Sequence, residues 1–351
     1  MPNPLRDLLT AYRRGGADLP FGDPLGTHGG AMEGYFWRIS DPVSGRALVA
    51  LIGINQGPKG AWATLGVADH PGGHLSIRAH EGAFADPHRL SVAAGDAFVA
   101  DDARLTVDLG PDCRIDVRVS EPIRWPMRPY GGSSYFHSVP ALNQYWHPWL
   151  LGGRADGTAT LDGRTWQIVG AQVYGEKNWG REGFPDAWWW GQAQGFDEPA
   201  ACVAFAGGEV HSGPLRTEVT GLVVRLPDGT ILRQGNPVTS PVRARVGDET
   251  WSLRGHARRL GEDWTIDVEA QAPLSAAHVL PVPLPAEQRN TAGAIEHLGG
   301  TLAVVVRRGS RVVWSGRSNL AGLEHGGLDR AEAELRRRGA PMGAVSAPPS
   351  V

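Results

Sequence analysis

The sequence is poor in cysteine and lysine, has no long apolar run and carries no excess of positive charge. Its two cysteines, Cys113 and Cys202, lie far apart without CxxC spacing, so neither a disulfide framework nor a thiolate metal site is encoded. No stretch approaches the ~18 consecutive apolar residues of a membrane span, and the opening "MPNPLRDLLTAYRRGG" lacks the apolar core of a signal peptide, which together lead to the expectation of a cytoplasmic protein. A formal net charge of −3 provides no concentrated basic face, and nucleic acid is excluded as a partner. A GxSxG elbow, a phosphate-binding loop and a dinucleotide fingerprint are also missing, so covalent hydrolysis, phosphoryl transfer and hydride transfer find no support and no cofactor is expected. His70, His74, His80 and His88 form a series, but its spacing is not that of a helical HExxH and "DHPGGHLSIRAH" reads as turn and strand; no metal is expected.

Lysine is scarce in an informative way. Of 34 basic residues only Lys59 and Lys177 are lysine. A lysine kept where arginine is the general choice suggests a need for a compact amine rather than a planar fork, and Lys177 stands in the most unusual segment of the chain.

Glycine, proline and alternating apolar residues are abundant. Leu105, Val107 and Leu109 alternate with polar residues, "GPD" intervenes, and Ile115, Val117 and Val119 resume the alternation, which is the pattern of an antiparallel hairpin. Asp162-Gly163, Asp228-Gly229 and the glycines of "VRARVGDETWSLR" and "LAVVVRRGSRVVWSG" punctuate further hairpins. Helical spacing occurs only at the ends, in "PLRDLLTAYRR" and "LDRAEAELRRRG". The expected fold is therefore all-β: two antiparallel barrel-like halves, each closing its sheet to limit exposed edges, with short terminal helices. The expected division is an N-terminal helix in 1–20, a first half in 21–184, a second half in 185–328, and a C-terminal helix with a disordered tail in 329–351.

Three segments mix aromatic and polar side chains. "VYGEKNWGREGFPDAWWWGQAQG" holds Tyr174, Glu176, Lys177, Asn178, Trp179, Asp186, Trp188, Trp190 and Gln192; as a strand it places Trp188 and Trp190 on one face and Trp189 on the other. "SSYFHSVPALNQYWHPWL" holds Tyr135, His137, Asn143, Gln144, Tyr145, Trp146 and His147, and "MEGYFWRI" sets Glu33 before Tyr35 and Trp37. Indoles in a β protein are ordinarily core, and an ion pair is the ordinary fate of a buried glutamate. Three such segments together instead suggest one small-molecule cavity, apolar and aromatic with a few convergent polar groups.

These segments carry a resemblance. "EGYFWRI" at Glu33–Ile39, "YGEKNWGREGFPDAWWWGQ" at Tyr174–Gln192 and "SNLAGLEHGG" at Ser318–Gly327 resemble the tocopherol cyclase family, in the right order over most of the chain. The resemblance implies two lipocalin-like halves, a kinship with carotenoid hydratases, a hydrophobic prenylated ligand, and a cofactor-free addition of a phenolic hydroxyl across a prenyl double bond. Such chemistry needs a carboxyl kept protonated by burial against indoles, with Glu176 the first candidate, Asp186 the second and Glu33 in reserve should Lys177 neutralise Glu176. Trp179, Trp188 and Trp190 suit a tertiary cation. His137, His147 or Tyr174 suit proton relay, and Lys177 or Asn178 suit the ring oxygens. An alkene hydratase and a non-catalytic carrier remain as alternatives; two solvated or salt-bridged carboxylates at Glu176 and Asp186 would mark a carrier. The first helix has a pattern compatible with a membrane surface, although covering a barrel mouth is the commoner use of such a helix.

Overall fold

The structure is a computed structural model that describes residues 4–213 and 215–345. The last six positions of the expected disordered tail lie outside the described residues.

Among the described residues twenty-one strands build two curled antiparallel sheets. The first contains β1 (Met32–Asp41), β2 (Arg46–Gly57), β3 (Gly60–His70), β4 (Leu75–Glu81), β5 (Phe84–Ala85), β6 (Ser91–Ala94), β7 (Phe98–Asp101), β8 (Arg104–Asp108), β9 (Cys113–Arg124), β10 (Tyr145–Leu161) and β11 (Arg164–Gly180). Its order is β4-β3-β2-β1-β11-β10-β9-β8-β7-β6-β5. The second contains β12 (Trp188–Ala193), β13 (Cys202–Ser212), β14 (Leu215–Arg225), β15 (Ile231–Gln234), β16 (Val242–Val246), β17 (Thr250–Arg259), β18 (Glu262–Gln271), β19 (His278–Leu284), β20 (Arg289–Arg308) and β21 (Arg311–Gly326). Here the order is β15-β14-β13-β12-β21-β20-β18-β17-β16, with β19 added on β20. Helices α1 (Pro4–Arg14) and α2 (Leu328–Arg338) lie at the ends.

The hairpins fall where the turn chemistry put them. β10 and β11 are joined through Asp162 and Gly163, both with positive φ (50° and 72°), the backbone that a two-residue type I′ turn requires.

Three apolar layers result. The concave face of the first sheet encloses a core that includes Tyr35, Trp37, Trp149 and Val173, and the second sheet encloses another around Phe205, Trp251 and Val268. Between the sheets runs a seam built by Phe36, Trp146, Tyr174, Trp188 and Trp190. Arg38 bolts this seam. Its guanidinium donates to Ser40 Oγ (2.5 Å) and Gln192 Oε1 (3.1 Å), and to the carbonyls of Leu298 (2.9 Å) and Leu320 (2.7 Å) in the second sheet.

Helix α1 corrects the covering reading. It has no buried residue, and Leu5, Leu8 and Leu9 are 63%, 66% and 41% exposed. Its C-terminal end is tied down where Tyr12 donates to the Ser138 carbonyl and Arg13 pairs with Asp18.

Candidate active site in the seam

The three aromatic-polar segments become neighbouring strands. Register pairs Tyr35 with Lys177 and Phe36 with Glu176 across β1 and β11, and Trp146 with Asn178 and His147 with Lys177 across β10 and β11. Facing residues of an antiparallel pair share a side of the sheet, and successive residues do not. Glu33, Tyr35, Trp37 and Lys177 therefore turn toward the first core, and Trp179 on the same side packs with Leu142 and Tyr145. Phe36, Arg38, Tyr174, Glu176 and Asn178 turn into the seam.

The core side holds a closed ionic cluster. Lys177 Nζ lies 2.8 Å from Glu33 Oε2 and donates to the carbonyls of Pro24 (3.0 Å) and Gly26 (2.9 Å). Glu33 Oε1 accepts from Thr27 Oγ1 and from the N–H groups of His28 and Gly29 at 2.6–2.8 Å. His28 reaches Asp18 at 2.8 Å and stacks on Trp179 with ring centres 4.6 Å apart. Burial pushes the Glu33 carboxyl up, but Lys177 and these donors outweigh it and hold the carboxyl below its ordinary value. Burial drives the His28 imidazole far down, Lys177 adding to the effect, so it is neutral. Lys177 thus neutralises Glu33 and not Glu176, and the reserve acid Glu33 is consumed in an ion pair remote from the seam.

The seam side holds the opposite arrangement. Glu176 Oε2 accepts from the indole N–H groups of Trp146 (2.8 Å) and Trp190 (2.8 Å) and from the Tyr174 hydroxyl (2.6 Å). No cation lies within ion-pair distance of Glu176 among the described residues. Burial raises its pKa against the pull of the three donors.

Glu176 lines a cavity of about 200 Å³ between the sheets, far above the ~10–15 Å³ needed for one water and so able to receive an organic molecule. Phe36, Trp146, Trp188 and Trp190 form its aromatic wall, and Val282 and Pro283 of β19 close it on the far side. Asn178 and Gln144 offer amides; both amide atoms of Gln144 are buried and without a hydrogen-bond partner.

Two further carboxyls enter from the second sheet. Glu296 of β20 and Glu324 of β21 face each other in register, and both line the cavity. Trp188 donates its indole N–H to Glu324, and Trp190 is paired in register with the same residue. Burial, then the neighbouring Glu324, raise the Glu296 pKa well above the ordinary carboxyl range, against Arg38. Burial raises Glu324 to about 7. Neither was legible as a site residue, although Glu324 stands inside "SNLAGLEHGG" and Glu296 is the lone acid of the apolar run "AGAIEHLGG". A carboxylate within a strand that otherwise reads as buried was the available signal.

Other expected site residues lie elsewhere. Asp186 is exposed in the loop before β12 and fails the requirement for a dry carboxyl. His137 is buried, its Nε2 3.0 Å from the Trp146 carbonyl, and burial lowers its pKa to about 4. His147 shares that packing, lies against Trp125 and His137, and is pushed well down by burial. Neither imidazole lines the cavity. Tyr135 stacks on Phe136, which lines the cavity in its place. Asn143 ties its loop to β13 through the Glu209 carbonyl and the His211 N–H. Trp37 belongs to the first core and Gln192 supports Arg38, while Tyr35 touches the cavity wall with its hydroxyl turned toward Glu33. Trp188 and Trp190 do share a face of the strand, and Trp189, which also borders the cavity, packs on the second core with its N–H on Thr220.

Two lipocalin-like half-barrels enclosing an aromatic, acid-bearing cavity define the class. The chain belongs to the tocopherol cyclase-like family, whose model matches residues 110–327. A protein described as a probable chloroplastic tocopherol cyclase from Oryza sativa subsp. japonica is 33% identical over 78 residues, which are 22% of this chain and 16% of the rice protein. The chain thus matches only a small part of that relative's length. Among solved structures, CghA superposes with a TM-score of 0.51 at 12% identity over 84% of this chain and 87% of its own, a likeness of fold. Kievitone hydratase from Nectria haematococca gives 0.46 at 12% identity over 85% and 88%. Among the described residues no helix is long and apolar enough to cross a membrane.

Proposed function

We propose that the protein is an acid-catalysed isomerase of prenylated phenols or hydroquinones, closing a chromanol ring in the seam cavity. The observation that carries this reading is Glu176: a buried carboxyl held by two indoles and a tyrosine, unpaired with any cation among the described residues and set in an aromatic wall. A structural glutamate at such a depth ordinarily finds a cation, as Glu33 does. Family membership supports the reading of an enzyme acting on isoprenoid alkenes.

The reaction adds a proton to the less substituted alkene carbon, and the resulting tertiary cation is captured by the phenol oxygen as the phenol loses its own proton. The carboxyls of the cavity supply and recover the proton. Trp188, Trp190 and Trp146 face the cation with their negative ring faces and exclude the water that would divert it. Asn178 and Gln144 donate to the ring oxygens. A carrier has no use for three unpaired carboxyls, which weighs against that alternative; a hydratase uses the same groups and differs only in admitting one water. The exposed leucines of α1 suit contact with the membrane in which a prenylated substrate dissolves.

Anaerobic incubation with a panel of prenylated hydroquinones, read by mass and retention, tests the proposal. An equal-mass product of shifted retention, lost in Glu176→Gln, is expected. A product heavier by one water would make the enzyme a hydratase, and tight binding with unchanged substrate would make it a carrier.

A further inference from the structure

Among the described residues Glu296 and Glu324 play no part in any ion pair, and their position is not explained by stability. Adjacent carboxyls facing each other across an antiparallel pair repel when both are charged. One of them is buried with its Oε1 unpartnered. Replacing both with apolar residues would serve a core better, because a buried polar group without a partner is costly. The charged and titratable groups around the pair are Glu176 across the seam on β11 and Arg38 on β1, whose two terminal nitrogens donate to Ser40, Gln192 and two carbonyls, whose Nε is buried without a partner, and whose charge pulls the Glu296 pKa down less than burial and Glu324 push it up.

Hydrogen bonding divides the three carboxyls into two kinds. Glu176 receives three donors on a single oxygen, an arrangement that favours the anion. Glu324 receives one, from Trp188. The Glu296 Oε1 receives none. The group with the most donors is fitted to accept a proton, and the group with the fewest to carry one.

We infer that the Glu296–Glu324 pair is the proton source of the site, Glu296 donating to the alkene with Glu324 as its partner, and that Glu176 is the acceptor for the phenol proton. This assignment rests on the proposed cyclase reading and adds direction to it. The alkene π pair forms a C–H bond with the Glu296 proton, leaving a tertiary cation and the Glu296 carboxylate. A phenol oxygen lone pair then forms the C–O bond while the phenol O–H proton passes to Glu176. Product and substrate are isomers, so returning one proton from Glu176 to the pair restores the starting state without any co-reactant. Trp190 links the two halves of this arrangement, since its indole N–H is on Glu176 and its backbone is paired with Glu324.

The test compares wild type with Glu296→Gln, Glu324→Gln, Glu176→Gln and, as a control at an exposed carboxyl, Asp186→Asn. Turnover of the hydroquinone panel is measured from pH 5 to 9, and the protonated-carboxyl band is followed by infrared difference spectroscopy over the same range without substrate. Glu296→Gln should lose at least about 100-fold in kcat. Glu324→Gln should retain measurable turnover with its high-pH limb displaced, and the wild-type carboxyl band should persist to near-neutral pH and change in both variants. Wild-type turnover in Glu296→Gln alongside loss in Glu176→Gln would make Glu176 the donor and overturn the assignment while leaving the cyclase reading intact. Absence of turnover by wild type on every substrate would remove both. Circular dichroism identifies a variant that fails to fold, and for such a variant Glu296→Leu, which removes the acid and suits apolar surroundings, replaces Glu296→Gln: a wild-type rate there overturns the donor role, and a loss of rate in the folded variant supports it.

Discussion

Lys177 and Glu176 are successive residues on one strand, and the environments of the two faces differ completely. On the core face a buried carboxylate meets an ammonium at 2.8 Å, and the ammonium also donates to two carbonyls. On the seam face a buried carboxyl accepts from two indoles and a hydroxyl, with no cation in ion-pair reach among the described residues. The first arrangement neutralises charge and fixes geometry, and the second leaves an acid in an apolar cavity, where the proposed chemistry needs one. Burial of an acid is therefore not itself a mark of chemistry, and it is the missing cation that sets Glu176 apart from Glu33.

Breaking the core side should be the more damaging to the fold. Lys177→Met strands the Glu33 carboxylate in the core and should lower stability by about 3–5 kcal/mol, and the double variant with Glu33→Gln should recover a large part of it. Thermal unfolding of the three proteins checks this, and an unchanged midpoint in Lys177→Met would sink the assignment of the cluster as structural.

Breaking the seam side should spare the fold and remove the activity. Glu176→Gln keeps the shape and an acceptor oxygen, so unfolding should shift by no more than about 1 kcal/mol while turnover falls about 100-fold or more. A variant that loses both equally would erase the contrast between the faces.

A smaller change sharpens the geometry of the seam. Gly326 is paired with Trp188, and an added Cβ would fall 1.9 Å from the indole. Gly326→Ala should push Trp188 off Glu324, with a cost of about 1–3 kcal/mol and a tenfold or smaller loss of turnover. Intrinsic tryptophan fluorescence and activity together report the displacement.

The pH dependence of stability should also separate the two sides. The Glu324 carboxyl has its folded pKa raised from the ordinary 4.5 to about 7, so the folded state binds that proton more tightly than the unfolded chain does. Its contribution is complete below pH 4.5 and is lost as pH rises toward and through about 7, at up to about 1.4 kcal/mol per pH unit for one group. Glu33, held below its ordinary value, acts in the other direction and loses its contribution as pH falls. Urea unfolding at a series of pH values should show the high-pH decline flattened in Glu324→Gln and retained in Lys177→Met. Smallest of all, Asp186→Asn should change neither stability nor turnover, because its carboxyl is in water.

Much of the fold could be read from local patterns. Alternation gave the strands, positive-φ glycines and aspartates gave the turns, and helical spacing gave both terminal helices, because each of these signals lies within a few neighbouring residues. The aromatic segments were also legible as convergent, and the split of Trp188 and Trp190 from Trp189 follows from the two-residue period alone. That period further implies that Glu176 and Lys177 cannot share a face, which is why the lysine could never have been the neutralising partner.

Three matters were decided only by the tertiary structure. Which face of β11 meets the first core and which meets the seam depends on where the second sheet packs, and this moved Glu33, Trp37, Trp179, His137 and His147 out of the proposed chemistry. Whether an acid is dry depends on every chain that covers it, which excluded Asp186 although it is only ten residues from Glu176. Finally, Glu296 and Glu324 come together through a β20–β21 register and meet Glu176, more than a hundred residues away, through the closure of one sheet on another. The sequence determined the types of residue and their alternation along each strand; the packing of the two sheets alone determined which carboxyls were left together without a cation, because desolvation and charge pairing are properties of surroundings and not of spacing along the chain.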